Sequence, residues 1–436
     1  MAFFSVSGRC FKNRRGQSIL LLHRQSNRGK ENALSYSCLP RESSVSKADS
    51  RYIYLACPWA PVGGGMFKVA DYLIQCQSDH QLAGAAQLRP LDTRGSAGPL
   101  FSLWVLLSAM LKIAQGRIGG GLAGVHINMA ERMSLFRKGT VIVGCAAMGV
   151  PTVLHLHAQM RGFYDHLPTA LKRLTRWIFS LPNGVIVIGP KAKTFVIDTL
   201  QVPAVRVRMI TNGVPGPREE VARAARSDRQ RLLFIGNLSD KKGLMDLLKA
   251  LAQPELDRSR LDVTIAGGGN VVGYQARACE LGLDDMVHFT GWCDQKKISR
   301  LLGDCDVLVL PSHDEVLPLA ILEALAHGVA VVTTPVGEIP SLLSDGVDSL
   351  FVTVGSPESI AAAINRILGE PDLRQTLEKN GRATYRRHFC LSDFFSNVAS
   401  EHQRHFGVAG QLKDALVFAN RIDQPDDHTP GPAVME

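Results

Sequence analysis

An apolar tetrapeptide, a polar loop and a helix-forming segment follow one another in Val307-Leu-Val-Leu-Pro-Ser-His-Asp-Glu315-Val-Leu-Pro-Leu-Ala-Ile-Leu-Glu323-Ala-Leu-Ala-His-Gly328. The tetrapeptide is typical of a strand in a parallel sheet that is covered on both faces. Pro318 suits the first turn of a helix. The loop is therefore predicted to lie at the carboxyl end of a buried strand, which is where open α/β sheets bind their ligands.

Two carboxylates in this stretch suit the hydroxyl groups of a ligand. Glu315 lies in the loop and can meet the hydroxyls of a sugar, while Glu323 lies inside the helix and suits a ribose diol. The N–H groups at the helix start face an anion. The alternative is a solvated acidic side chain, but a glutamate on an otherwise apolar helix face is costly to bury without a partner.

Strand and helix patterns alternate on both sides of this stretch. In the C-terminal half, short apolar runs fall at 232–235, 263–266, 287–290, 307–310 and 330–333, with helical patterns between them. In the N-terminal half, the corresponding runs fall at 52–56, 124–127, 152–156, 185–188 and 205–210. Strands that alternate with helices indicate βαβ units and parallel sheets.

The predicted fold class is therefore α/β, with two Rossmann-like domains that face each other across a cleft. We expect an N-terminal domain at 51–212, a linker at 213–230 that contains proline, glycine and charge, and a C-terminal domain at 231–388. A helix at 389–408 is expected to return to the N-terminal domain. Residues 1–50 show no period and are predicted to be disordered or a non-native extension, and 409–436 a disordered tail.

The charge distribution and the nucleotide fingerprints exclude several classes of protein. Of the net charge of +9, residues 1–50 contribute +6, which leaves +3 for the other 386 residues and disfavours a nucleic-acid partner. Gly63-Gly64-Gly65 and Gly267-Gly268-Gly269 both lack the last glycine of G-x-G-x-x-G, and no G-x-x-x-x-G-K-[ST] occurs. NAD binding and Walker-type ATP hydrolysis are therefore disfavoured.

The cysteines and the apolar segments bear on the compartment. Nine scattered cysteines without a C-x-x-C pair favour a reducing compartment, and Cys145 and Cys305 lie in apolar runs as small buried hydrophobes. No convincing signal peptide is found, and the apolar run 101–111 falls short of the ~20 residues that span a bilayer. We expect a buried or interfacial helix there, and a cytoplasmic protein with a peripheral contact to the inner face of the plasma membrane.

The E-x7-E spacing of Glu315 and Glu323 resembles the donor-site motif of family-4 retaining glycosyltransferases of the GT-B fold. Further matches in the same order are Asn212-Gly213-Val214, Phe234-Ile-Gly-Asn-Leu-Ser-Asp-Lys-Lys-Gly243, Phe289-Thr-Gly-Trp292 and Val336-Gly-Glu-Ile-Pro340. The resemblance extends over roughly 52–406. It implies transfer of a sugar, of hexosyl type, from a nucleotide-sugar donor to a glycan or lipid-linked acceptor, in the manner of bacterial polysaccharide enzymes.

The resemblance also implies a donor site. Its residues in the C-terminal domain are Gly236, Asn237, Lys242, Glu315, Leu319, Ala320 and Glu323. The segment from Gly236 to Gly243 would present N–H groups, a helix start and Lys242 to a diphosphate. An arginine normally follows the first glycine in the family, and Asn237 stands there in this chain. The alternative is a surface lysine pair beside a helix cap.

The N-terminal half contributes a glycine turn and a histidine. Gly64 and Gly65 resemble the family's glycine loop near the donor phosphates, where missing side chains allow close approach of the backbone; a simple tight turn is the alternative. Alternation puts His155 and His157 on one face of their strand, with His157 nearer the carboxyl end. His157 resembles the family histidine that contacts the donor sugar, so the predicted catalytic residues are His157, Lys242 and Glu315. A satisfied core histidine is the alternative, chiefly for His155.

A third patch spans Val125 to Arg132 and the basic turn that contains Arg137 and Lys138. Arg137 and Lys138 are predicted to bind the acceptor's diphosphate or an anionic headgroup, with a solvated basic face as the alternative. No metal site is predicted, because no third ligand at suitable spacing accompanies the histidines. No cofactor is expected, since the nucleotide sugar is a substrate.

Two other functions compete with glycosyl transfer. A non-catalytic nucleotide-sugar-binding subunit of a polysaccharide assembly is suggested by Asn237. A sugar-nucleotide epimerase of the GT-B fold is the other alternative, although the E-x7-E spacing and the strand before His157 favour a transferase. The base, the sugar, the acceptor and the linkage are not determined by the sequence.

Overall fold

The computed structural model describes residues 6–12, 18–24, 51–59, 64–79, 85–96, 98–217 and 229–410. The chain divides into two compact units. The N-terminal unit comprises Asp49–Gly213 together with Phe389–Glu436, and the C-terminal unit comprises Val214–His388 together with Met1–Ala48. Of the predicted linker, 218–228 lie outside the described residues, as do 411–436 of the predicted tail.

Two strands near the chain start form an antiparallel pair, β1 (Val6–Lys12) and β2 (Ser18–Arg24). The sequence predicted no regular structure in 1–50, because this segment shows no alternation of apolar and polar residues. The other residues of this segment lie outside the described part of the chain.

The N-terminal unit is built on a six-stranded parallel sheet in the order β4-β3-β5-β6-β7-β8. Its strands are β3 (Tyr52–Cys57), β4 (Gln87–Asp92), β5 (Leu122–Met129), β6 (Thr152–Leu156), β7 (Gly184–Val187) and β8 (Val207–Met209). Every residue of β5, β6 and β7 is buried, because helices cover both faces of a parallel sheet.

The helices of this unit follow its strands. They are α1 (Gly65–Asp79), α2 (Pro99–Ile118), α3 (Met133–Ala147), α4 (Met160–Asp165), α5 (Thr169–Ser180) and α6 (Pro190–Thr194), with a π-helical turn at Phe195–Thr199 and a 3-10 turn at Ala204–Arg206. The buried thiol of Cys145 in α3 packs in the core, as predicted, and burial raises its pKa to about 12.

The C-terminal unit repeats this architecture in the order β11-β10-β9-β12-β13-β14. Its strands are β9 (Gln230–Ile235), β10 (Leu261–Ala266), β11 (Val287–Gly291), β12 (Val307–Leu310), β13 (Ala330–Thr333) and β14 (Leu350–Phe351). Its helices are α7 (Leu244–Leu251), α8 (Val271–Glu280), α9 (Gln295–Asp304), α10 (Leu319–Ala326), α11 (Ile339–Leu342), α12 (Pro357–Gly369) and α13 (Pro371–His388), with 3-10 turns at Asp240–Lys242 and Arg258–Arg260.

The last helix, α14 (Leu391–Phe406), packs on the sheet of the N-terminal unit. A side chain at Gly124 in β5 would collide with the ring of Phe406, so glycine is needed where this helix crosses the strand. The predicted α/β class with two Rossmann-like halves and a returning C-terminal helix is thus confirmed. The cleft between the halves stays a prediction.

The apolar run 101–111 belongs to a longer helix than the sequence predicted. α2 has 20 residues and a mean hydropathy of 1.3 over its most apolar window, which is long and apolar enough to cross a membrane by these two measures. The expectation that this segment is too short was therefore wrong. The apolar run stops before Lys112, whereas the helix continues through Lys112 and Gln115 to Ile118.

Candidate active site

The loops that follow β9 and β12 meet at the carboxyl end of the C-terminal sheet. β9 and β12 are adjacent and parallel, so their ends lie side by side. Gly243 has a φ of +71°, and a Cβ there would collide with the carbonyl oxygen of Pro311. His313 N–H donates to the carbonyl oxygen of Lys241 at 2.9 Å. The glycine thus allows the two loops to make backbone contact.

Lys242 and Glu315 form an ion pair across these loops. Lys242 Nζ donates to Glu315 Oε1, and the two side chains are 26% and 14% exposed. Ser312 Oγ lies 3.4 Å from the same carboxylate oxygen. The sequence predicted both residues for the donor site, and the structure brings them into contact. A cation is thereby held at the strand ends beside a carboxylate that is half-buried.

An exposed ion pair and a histidine–aspartate contact flank this pair. Lys241 Nζ lies 2.8 Å from Asp314 Oδ2, and both side chains are more than half exposed. His313 Nε2 lies 2.5 Å from Asp246 Oδ2 in α7. Lys241 therefore has the same charge as its neighbour Lys242, but its ion pair is open to solvent.

Gly236 and Asn237 lie in a close backbone crossing beside the ion pair. Gly236 N–H donates to the carbonyl oxygen of Ala266 at 3.0 Å, and Leu238 N–H donates to that of Gly268 at 2.7 Å. A Cβ on Gly267 would collide with the carbonyl oxygen of Gly236. The glycine run after β10, which resembles no dinucleotide fingerprint, therefore allows the β9 loop to lie against the β10 loop.

Glu323 is buried in α10, the helix that follows the Glu315 loop. Its side chain is 1% exposed, Leu319 is 8% exposed, and Ala320 is half-buried. Pro318 precedes the helix in extended conformation, as its position in the sequence predicted. The structure thus places the second carboxylate of the E-x7-E pattern inside the unit.

His157 lies directly after β6 in the N-terminal unit. Its Nε2 lies 2.7 Å from Asn128 Oδ1, and because an amide oxygen only accepts, this nitrogen carries the proton. Burial, and then the nearby His126, lower the pKa of His157 to about 3. The imidazole is therefore neutral near pH 7, and Nδ1 is its unprotonated nitrogen. Sequence reasoning missed Asn128, although strand alternation places it on one face with His126.

Three further histidines form a buried array with His157. His126 Nδ1 lies 2.9 Å from His402 Nε2, and His126 Nε2 lies 3.3 Å from His155 Nδ1. The rings of His155 and His157 lie 4.0 Å apart. Burial lowers the pKa of His126 to about 3 and the pKa values of His155 and His402 well below their usual range. All four are therefore neutral in the folded unit.

The predicted anion patch is not a single basic surface. Lys138 is fully buried and donates to Thr93 Oγ1, while Arg137 is half-buried. Burial lowers the pKa of Lys138 to about 7. The prediction that Lys138 offers its charge to an anion at the surface is therefore wrong. Lys138 lies on the buried face of α3, three residues after Leu135 and four before Ile142. This spacing could have identified Lys138 as a buried residue.

The remaining predicted residues lie at the start of α1. Gly65 is the first residue of this helix and Gly64 precedes it, and among the described residues no atom would lie within 4 Å of a Cβ at Gly64. Gly63 lies outside the described residues. In the described ranges, no group of three or more His, Cys, Asp or Glu side chains is arranged to hold a metal ion.

A cavity of about 370 Å³ lies in the N-terminal unit, close in sequence to His157. Met160 and Phe195 contribute apolar walls, and Arg161 and Lys191 contribute two cations. The Arg161 guanidinium lies 5.5 Å from the centre of the Phe195 ring. The cavity therefore offers both apolar and cationic contacts to a ligand.

Comparison with known proteins agrees with this fold. Residues 217–384, which is under half of the chain, match the family described as glycosyl transferases group 1. An uncharacterized glycosyltransferase of Methanocaldococcus jannaschii is 27% identical over 52% of this chain and 60% of its own length. A D-inositol 3-phosphate glycosyltransferase of Thermobifida fusca is 31% identical over 39% of this chain and 42% of its own. The chain thus spans roughly half the length of these relatives.

Solved structures share the fold across both units. The Anabaena protein HepE, solved in complex with UDP and glucose, has a TM-score of 0.63 and 18% identity over 81% of this chain and 99% of its own. Sucrose-phosphate synthase from Thermosynechococcus elongatus has a TM-score of 0.66 and 20% identity over 81% and 98%. Together with the family match, these likenesses support a glycosyltransferase of the GT-B fold.

Proposed function

We propose that this protein is a retaining glycosyltransferase of family 4 that transfers a hexosyl group from a nucleotide-sugar donor to a glycan or lipid-linked acceptor. The observation that carries the proposal is the Lys242–Glu315 ion pair at the carboxyl ends of adjacent parallel strands, beside the helix that buries Glu323. It lies within the segment that matches glycosyl transferases group 1.

The donor's diphosphate is bound through Lys242 and the backbone N–H groups of the β9 loop. In the absence of donor, Glu315 neutralises the Lys242 ammonium. A diphosphate shares this ammonium when it arrives, and Glu315 then accepts hydrogen bonds from hydroxyls of the transferred sugar. Glu323 accepts from the ribose diol, and Leu319 and Ala320 contact the nucleoside at the start of α10. UDP and glucose in the HepE structure support a nucleotide-sugar donor.

In the reaction, an acceptor hydroxyl forms a bond to the anomeric carbon while the bond from that carbon to the diphosphate breaks. The electron pair of the broken bond stays on the diphosphate, so negative charge develops next to Lys242. Preorganised N–H dipoles and a fixed cation stabilise such charge effectively. The acceptor's proton leaves with the departing phosphate oxygen. These groups supply the neutralisation without a metal ion.

The N-terminal unit is proposed to supply the acceptor side. His157, neutral and held by Asn128, contacts the donor sugar and orients the attack, and Gly64 and Gly65 leave room for the phosphates. The cavity with Arg161 and Lys191 suits an acceptor that combines an anionic group with an apolar part. Such acceptors occur in polysaccharide assembly, and we propose that the reaction takes place at the cytoplasmic face of a membrane.

A non-catalytic donor-binding subunit is the second candidate, and Asn237 is the observation that favours it. This residue stands where the resembled family has an arginine, so one cation beside the diphosphate is missing. Donor binding without transfer or donor hydrolysis, across a panel of acceptors, would favour this candidate over the enzyme.

A thermal-shift panel of UDP-, GDP- and ADP-sugars tests the donor site. A donor at a hundred times its dissociation constant adds about 2.7 kcal/mol to the stability of the unit that binds it. We expect one nucleotide to raise the melting temperature, and Lys242→Ala and Glu323→Ala each to abolish both the shift and turnover. Lys241→Ala is the matched control, because it removes a neighbouring lysine from an exposed ion pair.

Turnover is measured as labelled sugar transferred to acceptor, and the anomeric configuration of the product is read by NMR. An inverted product would contradict the retaining mechanism but not the donor site. Full activity in Lys242→Ala and Glu323→Ala, or equal losses in Lys241→Ala, would contradict the assignment of the site. Isomerised donor without an acceptor would favour the epimerase.

A further inference from the structure

Exposed apolar side chains are concentrated on one layer of helices. Of the seventeen large hydrophobic residues that are exposed in the described part of the chain, eleven lie on α2, α3 and α5. They are Leu100, Phe101, Leu103, Trp104, Leu107, Leu111, Ile118, Met133, Phe136, Leu174 and Trp177. Contiguous apolar surface of this kind marks a site of interaction with a protein or a membrane.

The apolar residues of α2 form two opposite stripes. Leu103, Leu107 and Leu111 repeat every four residues and lie on one face, where each is more than half exposed. Leu106, Ala109, Ile113 and Gly116 lie on the other face and are buried. A side chain at Gly116 would collide with the hydroxyl of Tyr52, so this inner face is fitted closely to the sheet. The outer stripe, in contrast, is exposed in the part of the chain that the structure describes.

α3 connects α2 and α5 into a continuous surface. A Cβ on Gly144 of α3 would collide with Met110 of α2, and one on Gly139 would lie 2.9 Å from Ile178 of α5. The exposed residues of α3 and α5 include Phe136 and Trp177. The outward faces of the three helices therefore belong to one layer on one side of the N-terminal sheet.

The charges of this layer have a single sign. The sequences of α2, α3 and α5 contain no Asp or Glu, although the chain has 40 acidic residues. Exposed basic side chains lie on the same helices as the exposed apolar residues, at Lys112 and Arg117 of α2 and at Arg173 and Arg176 of α5. Long basic side chains can lay their stems on apolar surface and keep their charge near an interface.

We propose that the outer faces of α2, α3 and α5 dock the N-terminal unit onto a bilayer that contains anionic phospholipids. Apolar residues enter the headgroup and acyl boundary, cations meet lipid phosphates, and the half-exposed Trp104 and Trp177 suit the interface. α2 lies along the membrane and does not cross it, because its inner stripe is packed on the sheet. This surface is independent of the donor site and does not require glycosyl transfer.

The test is flotation of the full-length protein with phosphatidylcholine vesicles that contain or lack phosphatidylglycerol. The double variant Leu103→Asp/Leu107→Asp places two carboxylates on the outer stripe. We expect its bound fraction to fall at least about tenfold, because each change replaces apolar burial with a charge at the interface. The matched control is Val205→Asp, at a valine of the same unit that is 68% exposed and lies outside the three helices.

A second variant, Lys112→Glu/Arg173→Glu, tests the charge at exposed positions that leave the core unchanged. We expect it to lose binding to phosphatidylglycerol vesicles, and added salt to weaken wild-type binding, because surface charges are screened within about 8–10 Å at physiological ionic strength. Thermal unfolding of each variant by circular dichroism confirms that the unit is folded.

Several outcomes would overturn the proposal. One is a wild-type protein that binds neither kind of vesicle, and another is undiminished binding by both double variants. A wild-type dimer that Leu103→Asp/Leu107→Asp converts to monomer, without any vesicle binding, would assign the surface to a second copy of the chain. Bound protein that resists extraction by alkaline carbonate would show a helix that crosses the bilayer.

Discussion

Acidification is expected to unfold the N-terminal unit steeply, because this unit holds three buried histidines and the partly buried His157, and all four are neutral. His126, His155, His157 and His402 have pKa values lowered below the ordinary value of 6.5 by burial. The stability linked to such groups is fully present above pH 6.5 and is lost as the pH falls toward the folded-state pKa. The nearby Glu401 contacts Arg208 and His405, so its negative charge does not offset the charge that the array would gain on protonation.

The magnitude follows from proton linkage. At pH 5.5 each of the four histidines binds close to one proton in the unfolded chain and almost none in the folded unit. The free energy of unfolding should therefore fall by about 5 kcal/mol per pH unit near this pH. Because a domain is stable by only about 5–15 kcal/mol, the unit should unfold within one to three pH units below 6.5.

Tryptophan fluorescence during urea unfolding measures this slope. Trp59, Trp104 and Trp177 lie in the N-terminal unit, and Trp292 is the fourth and last tryptophan of the chain. A Trp292→Phe background therefore reports the N-terminal unit alone, at pH 7.5, 6.5 and 5.5.

His402→Gln should reduce the slope by about 1.4 kcal/mol per pH unit, because one titrating group is removed. The control His166→Gln changes an exposed histidine of the same unit and should leave the slope unaltered. A wild-type stability that is flat between pH 7.5 and 5.5 would refute the reasoning, since it would mean that the array takes up protons without unfolding.

Three substitutions test other contacts. Asn128→Asp adds a carboxylate against His157 and should favour the imidazolium by about 4 kcal/mol at about 4 Å and an effective dielectric of 20, which raises the pKa of His157 toward neutrality. Histidine NMR measures this pKa; the control Asn128→Leu should leave it low, and an unchanged pKa in Asn128→Asp would contradict the prediction. Relative to Lys138→Met, the wild type should gain about 1 kcal/mol of stability between pH 7.5 and 8.5, because only the unfolded chain keeps the lysine proton. Urea unfolding measures the stability of both proteins, and a difference between them that stays constant over this pH range would argue against a pKa of about 7 for Lys138. Gly243→Ala should destabilise the C-terminal unit by about 3 kcal/mol and weaken donor binding. The control Gly346→Ala has the same φ of +71° but open space around the new methyl group, so it should cost only about 1 kcal/mol of stability. Equal losses of stability in the two variants would contradict the contact between the loops.

The fold was predictable because each strand carries its own signal. Val307–Leu310 is short, apolar and followed by Pro311, and Thr152–Leu156 is short, mostly apolar and preceded by Pro151, so pattern alone located both strands. β4 was missed because Arg89 and Pro90 interrupt its apolar residues, and β14 because it has only two residues. Both are held by pairing with a neighbouring strand, which is a tertiary effect that local sequence does not contain.

The donor cluster was predictable as a list, but its contacts were not. The E-x7-E spacing identified Glu315 and Glu323, and the strand–glycine pattern identified Lys242. That Lys242 pairs with Glu315, and not Lys241, depends on Gly243 and on the adjacency of β9 and β12. In the N-terminal unit, Asn128 reaches His157 because β5 and β6 are neighbours in the register Asn128–His155. Strand order decides both contacts.

The role that we propose for α2 shows most clearly what composition leaves undecided. An apolar segment of 20 residues is compatible with a core helix, a membrane-spanning helix and a helix that lies on a membrane, because all three contain the same residues. The pattern of burial separates them. A core helix would bury both stripes, and a spanning helix would not fit Gly116 against Tyr52. α2 buries one stripe on the sheet and leaves Leu103, Leu107 and Leu111 open, and of the three arrangements this pattern fits best the helix at an interface that we propose.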